Sequence, residues 1–142
     1  MATTPTPASA VFPNEMRTIR DFQAFHRWLD AEKGFNEELY FLMILLNEEI
    51  GEVAKVLRHI HDAAKQHQQE QPPVNQDDAL QEAFAVHRGD LGQELADCLA
   101  YIFKLANRAG VDLDDAYRAK MARNMTRTWH APADAPNRPV RE

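Results

Sequence analysis

Residues 42–57, Leu-Met-Ile-Leu-Leu-Asn-Glu-Glu-Ile-Gly-Glu-Val-Ala-Lys-Val-Leu, read as a helix with carboxylates where apolar side chains belong. At about 100° per residue, Leu42, Leu45, Leu46, Val53, Val56, Leu57 and Ile60 share one arc. Glu49 falls near the middle of that arc, Glu52 at its edge, and Glu48 one step further round. Unpaired buried carboxylates are expensive, and cations are the usual remedy. A fold that keeps this helix must either gather cations around the acids or leave that part of the face open.

A second stretch, residues 91–102, repeats the trespass. Leu91, Leu95, Cys98, Ile102 and Leu105 form its stripe. Glu94 and Asp97, three apart, line one edge, and Tyr101 follows Asp97 by one turn. Two helices with acidic pairs at i, i+3 can bring four carboxylates to one point, and an all-oxygen cluster suits hard cations such as Mg²⁺ or Mn²⁺. The competing interpretation is an exposed charge on an amphipathic helix, the commoner fate of any single Glu. It weakens where Glu49 shares an arc with so many apolar residues, and again where a second helix does the same.

Three ordered motifs carry a family resemblance. Glu48-Glu49-x-x-Glu52 followed by Glu94-x-x-Asp97 resembles the signature of the MazG-like all-α nucleoside triphosphate pyrophosphohydrolases. Glu49-Ile50-Gly51-Glu52 is similar to that family's E-x-G-E core, and Asp97-Cys98-Leu99-Ala100-Tyr101 to its D-x-x-x-Y variant. Lys120-x-x-x-Asn124-x-x-Arg127 resembles its downstream K-x-x-x-N-x-x-R. The resemblance covers roughly residues 20–129. One departure is length: 41 residues separate Glu52 from Glu94, and an inserted loop or extra helical turns would take up the excess.

A chain of 142 residues is enough for one domain with a real core. A formal net charge of −6 argues against general nucleic-acid binding, where a basic face is expected. The single cysteine, Cys98, allows no intramolecular disulfide and suits a reducing, cytoplasmic location. Its place on an apolar stripe marks it as a structural thiol. The apolar run from Leu39 to Leu46 is too short to span a bilayer, and residues 1–13 have no secretory-signal pattern.

The expected fold is all-α, a helical bundle of four main helices with flexible termini and an inserted loop between helices two and three. Residues 1–13, rich in Thr, Pro and Ala, and 131–142, with Pro132, Pro136 and Pro139, read as flexible tails around a domain at 14–130. The first helix is expected to run from Pro13-Asn14 to about Ala31, with Ile19, Phe22, Phe25 or His26, and Leu29 at helical spacing. Phe22, Phe25 and Trp28 read first as core aromatics and second as walls of a base pocket. Gly34 is the expected stop and Asn36 the next N-cap, with the second helix continuing to about Lys65. Gln-rich sequence with Pro72-Pro73 marks a loop. Asp77-Asp78 is expected to cap a short helix through about Val86, His87 to Asp90 to bend, and Asp90 to cap a long helix ending at Ala109-Gly110. Asp112 is the expected cap of the last helix, whose Lys120, Arg123, Asn124 and Arg127 lie close together at helical spacing. That basic group reads equally as a solvated helix end and as a phosphate clamp.

The resemblance implies a chemistry. Mg²⁺, or Mn²⁺ in its place, would sit on Glu49, Glu52, Glu94 and Asp97, with a nucleoside triphosphate as substrate. Glu48, turned about 100° from Glu49, would accept the proton of the attacking water. Lys120 and Arg127 would neutralise pyrophosphate, Asn124 would bond phosphate or sugar, and Tyr101, with Trp28, would contact sugar or base. Lys104 is a further candidate for which an exposed role is expected. Broad apolar stripes suggest association, and the resemblance points to a homodimer or dimer of dimers. Two other classes compete: a non-enzymatic helical interaction domain, and a carboxylate-bridged metal-binding bundle. The di-iron version of the latter normally uses Glu-x-x-His pairs, which this chain lacks. The six histidines, His26, His59, His61, His67, His87 and His130, form no convincing ligand set.

Overall fold

The computed structural model describes residues 16–69 and 74–127. Both expected tails, 1–13 and 131–142, lie outside the described residues, as does the Pro72-Pro73 pair. The described chain forms four helices: α1 Ile19–Lys33, α2 Leu39–Gln68, α3 Gln76–Arg108 and α4 Leu113–Met125. The all-α bundle expected from periodicity is the fold.

Local chemistry sets the helix ends. Thr18 caps α1 through a capping box with Asp21, each side chain bonding the other's backbone N–H. The chain leaves α1 through Gly34 at φ 62°, a left-handed conformation that costs glycine little and other residues more. Asn36 does not cap α2. Glu38 does, accepting from the Phe41 N–H, while Asn36 Oδ1 accepts from the Glu38 N–H one turn earlier. Asn75 caps α3, with Asp77 and Asp78 in its first turn, and Asp112 caps α4 as expected.

Packing corrects one larger expectation. There is no bend at 87–90 and no separate short helix: α3 runs unbroken through Gly89, and Asp90 is an interior residue. Each interior glycine costs about 1 kcal/mol relative to Ala, but the choice is made by what the helix lies against. α2 and α3 pack antiparallel along their length. Val56, Ile60 and Ala64 of α2 are buried with Ala83 of α3, and Ala63, Phe84 and Leu91 pack around them. Ala79 and Ala83 are wholly buried, so the first three turns of α3 are held by the same seam as the rest. Much of the long interval between Glu52 and Glu94 is therefore extra turns on two helices, with only 69–75 left to connect them.

The buried face of α3 also differs from the expected stripe. Phe103 and Ala106 are buried, whereas Leu95, Leu99 and Ile102 are exposed. They join Met43, Ile44, Ile50 and Leu57 of α2 among the exposed large apolar residues. Gly51 has no close neighbour: a Cβ there would meet nothing within 4 Å.

α1 lies on α3, and α4 lies on α1. Phe22 stacks on Phe103 at 5.9 Å between ring centroids, and His26 stacks on it at 5.6 Å. The most buried residues of α1 are polar, which apolar periodicity does not anticipate. Gln23 donates to Asn107 Oδ1 at 3.2 Å and to the Val111 carbonyl at 2.9 Å, and accepts from the Leu113 N–H at 2.9 Å. Asn107 returns a bond to the Gln23 carbonyl at 2.8 Å. At the rim, the Arg20 guanidinium binds Asp112 at 2.6 Å and Asp115 at 2.5 Å, and these bonds raise its already high pKa. One glutamine thus ties α1 to the end of α3 and the start of α4. Gln23→Ala would remove the partner of the part-buried Val111 carbonyl and Leu113 N–H, and should cost about 1–3 kcal/mol in urea-denaturation stability. A loss within about 0.5 kcal/mol, the range of ordinary surface substitutions, would show that water replaces these bonds.

Candidate active site

The antiparallel seam sets the three acids of α2 opposite those of α3. Carboxylate oxygens of Glu49, Glu94 and Asp97 all lie within 4.8 Å of one another. Glu49 and Glu94 are half-buried and Asp97 is exposed, so the group sits at the mouth of the seam. Burial pushes the Glu49 carboxyl above its usual range, and the charges of Asp97, Glu94, Glu48 and Glu52 push it further. Two neighbours feel the same field. The Cys98 thiol is raised by burial and then by Glu49, Asp97 and Glu94, and so stays a thiol. The Tyr101 hydroxyl is raised by burial and then by charges that include Glu49 and Asp97 on one side and Asp30 on the other.

Glu52 stands apart from the trio. Its Oε2 is 2.8 Å from Lys55 Nζ, one turn along α2. Glu48 is exposed. On α4, Lys120 and Arg127 are exposed and Asn124 is half-buried, with the Arg127 N–H donating to the Asn124 carbonyl at 3.2 Å. That helix packs chiefly on α1, so the chain's own packing does not carry its basic end to the trio. Trp28 is exposed over about half its surface and meets Phe25 at 5.9 Å.

Lys104, expected to be exposed, is partly buried. Its ammonium lies 2.8 Å from Asp30 Oδ1, with 11% and 5% of the two side chains accessible. The Phe35 ring lies 4.4 Å from the ammonium and the Tyr101 ring 5.4 Å. The signal was present in the sequence: Lys104 is seven residues after Asp97, two helical turns on the same face of α3, with Tyr101 between. What hid it was the default that a lysine on a helix is solvated. Asp30, Lys104 and Asn107 border a cleft of about 260 Å³, also lined by Arg27, Glu37 and Arg108. The cleft lies along α3 from the acidic trio rather than over it.

The model of the MazG nucleotide pyrophosphohydrolase domain matches residues 37–131. The chain belongs to the MazG family. The match begins at the approach to α2, so α1 lies outside it although the resemblance seen in the sequence reached back to about residue 20. Comparison with curated proteins and with solved structures gave no match. MazG proteins generally depend on a divalent metal, and the trio's chemistry fits one: oxygen donors only, mutually repelling, with one carboxyl already pushed toward protonation. No described helix is long and apolar enough to cross a membrane.

The raised Glu49 carboxyl sets a pH dependence. The folded protein holds this proton more tightly than the unfolded chain, whose value is near 4.5. Its contribution to stability is therefore complete below that value and is lost as pH rises through the folded one. In chelator, thermal melts of wild type and Glu49→Gln should run together at about pH 4 and separate above it, the variant melting higher at neutral pH. Equal melting temperatures at neutral pH would mean that the trio carries no repulsion.

Proposed function

We propose that this MazG protein is a Mg²⁺-dependent nucleoside triphosphate pyrophosphohydrolase, cleaving (d)NTP to (d)NMP and pyrophosphate in cytoplasmic nucleotide-pool house-cleaning. The observation that carries the proposal is the convergence of Glu49, Glu94 and Asp97 within 4.8 Å in a chain of this family. These three would hold the ion, with Glu52 joining them by releasing Lys55; Mn²⁺ would serve in its place. A bound divalent cation supplies charge neutralisation to the polyphosphate and polarisation at its α-phosphorus.

The chain's own groups do the rest. Glu48, exposed beside the trio, takes a proton from water as the water oxygen bonds to the α-phosphorus. The bridging α–β P–O bond breaks, and its electron pair leaves with pyrophosphate. Lys120 and Arg127 neutralise that leaving group, and Asn124 bonds phosphate or sugar. Tyr101 and Trp28 contact the sugar and base. The apolar band from Met43, Ile44, Ile50 and Leu57 to Leu95, Leu99 and Ile102 supports assembly as a homodimer or dimer of dimers, because such a surface is costly to leave in water. Assembly also offers the basic end of α4 a route to an acidic trio, since within one chain α4 lies on α1.

Two measurements check this. A panel of triphosphates with Mg²⁺ should yield monophosphate and pyrophosphate from at least one member; orthophosphate and a diphosphate would place attack at the γ-phosphorus. Glu48→Gln should leave Mg²⁺ affinity within a few-fold and lower single-turnover rate by about 10²–10⁴. A parallel loss of metal affinity would make Glu48 a ligand, and a rate near wild type would make it a bystander.

A further inference from the structure

Asp30 is the most enclosed acid among the described residues, and nothing in the cleavage chemistry uses it. It is 4% exposed and lines the cleft. Its Oδ1 has Lys104 Nζ at 2.8 Å yet no hydrogen-bond partner, because the ammonium is close without being aligned. A buried carboxylate oxygen with charge compensation but an unused acceptor position is uncommon, since buried polar atoms are nearly always bonded. Beside it, Lys104 has three donors and no acceptor. The cleft wall therefore sets a carboxylate and an ammonium side by side, with Asp30 Oδ1 itself enclosed against Lys104.

The surroundings fit a flat heterocycle. Phe35 is brought beneath Lys104 by the left-handed turn at Gly34, which together with Phe35 also bonds its N–H to the Asp30 carbonyl. Tyr101 supplies a second ring on the side toward the trio. Lys104 is about 10 Å along α3 from Asp97 and within about 20° of the same face. That is the reach of a nucleotide from its α-phosphorus to the far edge of its base.

We propose that the Asp30–Lys104 pair is the specificity element that reads the base, Asp30 accepting from a ring or exocyclic N–H and Lys104 donating to the neighbouring carbonyl or ring nitrogen. The inference rests on the pyrophosphohydrolase proposal for its substrate class. It concerns a residue pair half of which, Asp30, lies outside the span matched to the family. The pair touches the base and not the reacting phosphorus, so its removal acts on discrimination between bases.

The test is the ratio of kcat/KM for the best and poorest of the common nucleoside triphosphates, in wild type, Asp30→Asn and Lys104→Gln. The ratio should fall at least tenfold in each variant, since an amide donates and accepts where the ionised group does only one. A wild-type ratio below about tenfold, or an equal drop for every base in both variants, would overturn the proposal; the equal drop is the mark of a merely structural ion pair. Should either variant fail to fold, the wild type alone decides. Methylating the edge nitrogen of the preferred base should lower kcat/KM at least tenfold, and an unchanged value would overturn the proposal. The activity itself fails separately, if wild type releases pyrophosphate from no triphosphate. Calorimetric binding of nucleoside monophosphates in chelator then judges the pair: base-dependent affinity that flattens in Asp30→Asn supports it, and base-independent affinity refutes it.

Discussion

The antiparallel contact between α2 and α3 governs the rest of the molecule. It is built from a few side chains of modest size, Val56, Ile60 and Ala64 against Ala79 and Ala83, so the two backbones run close together. Closeness there fixes the register further along. A shift by one residue would turn Glu49 about 100° from Glu94 and Asp97 and disperse the trio. The repulsion among these acids opposes folding and is sustained by the apolar seam beside it. Such an arrangement, in which a core elsewhere holds like charges together, is common where a cation or a proton is to be handled.

A second constraint is polar and sits at the other end. Gln23 and Asn107 join three helices through oriented hydrogen bonds, while Arg20 gathers the aspartates that open α4. Exposed ion pairs of this kind contribute little each. The buried amide network is the stronger and more directional tie. It fixes where α1 stands relative to α3, and so fixes Asp30 against Lys104.

Much of this was legible in residue spacing. The four helices, the stop at Gly34, the cap at Asp112 and the acidic motifs on facing helices all follow from periodicity and local hydrogen-bond chemistry. The failures are equally physical. Gly89 looked like a break because an interior glycine is unfavourable in isolation, but Ala79 and Ala83 pack on α2 and carry the helix through. Leu95 and Ile102 looked like core because apolar spacing identifies a face without saying what covers it. Lys104 looked solvated, and Gln23 and Asp30 drew no notice, because their partners, at Asn107, Val111 and Leu113 or across α1 and α3, are distant in sequence. The grouping of Glu49, Glu94 and Asp97 was visible in the spacing, whereas the side-chain attachment of Glu52 to Lys55 was a choice between neighbours that periodicity does not make.

The lightness with which α4 is held has a consequence for how the molecule opens. Asp114 is its buried residue, and its contacts are chiefly with α1. Free energies of local opening follow the apolar area and bonds broken, so α4 can detach while the long α2–α3 hairpin stays closed. Its backbone amides would then exchange with solvent deuterium well before those around Ile60. Release would also expose the Gln23 carboxamide, so the end of α1 would loosen next and the seam last. The protein is in this sense a two-tier structure, a persistent hairpin bearing the acids and a more easily shed cover bearing the bases.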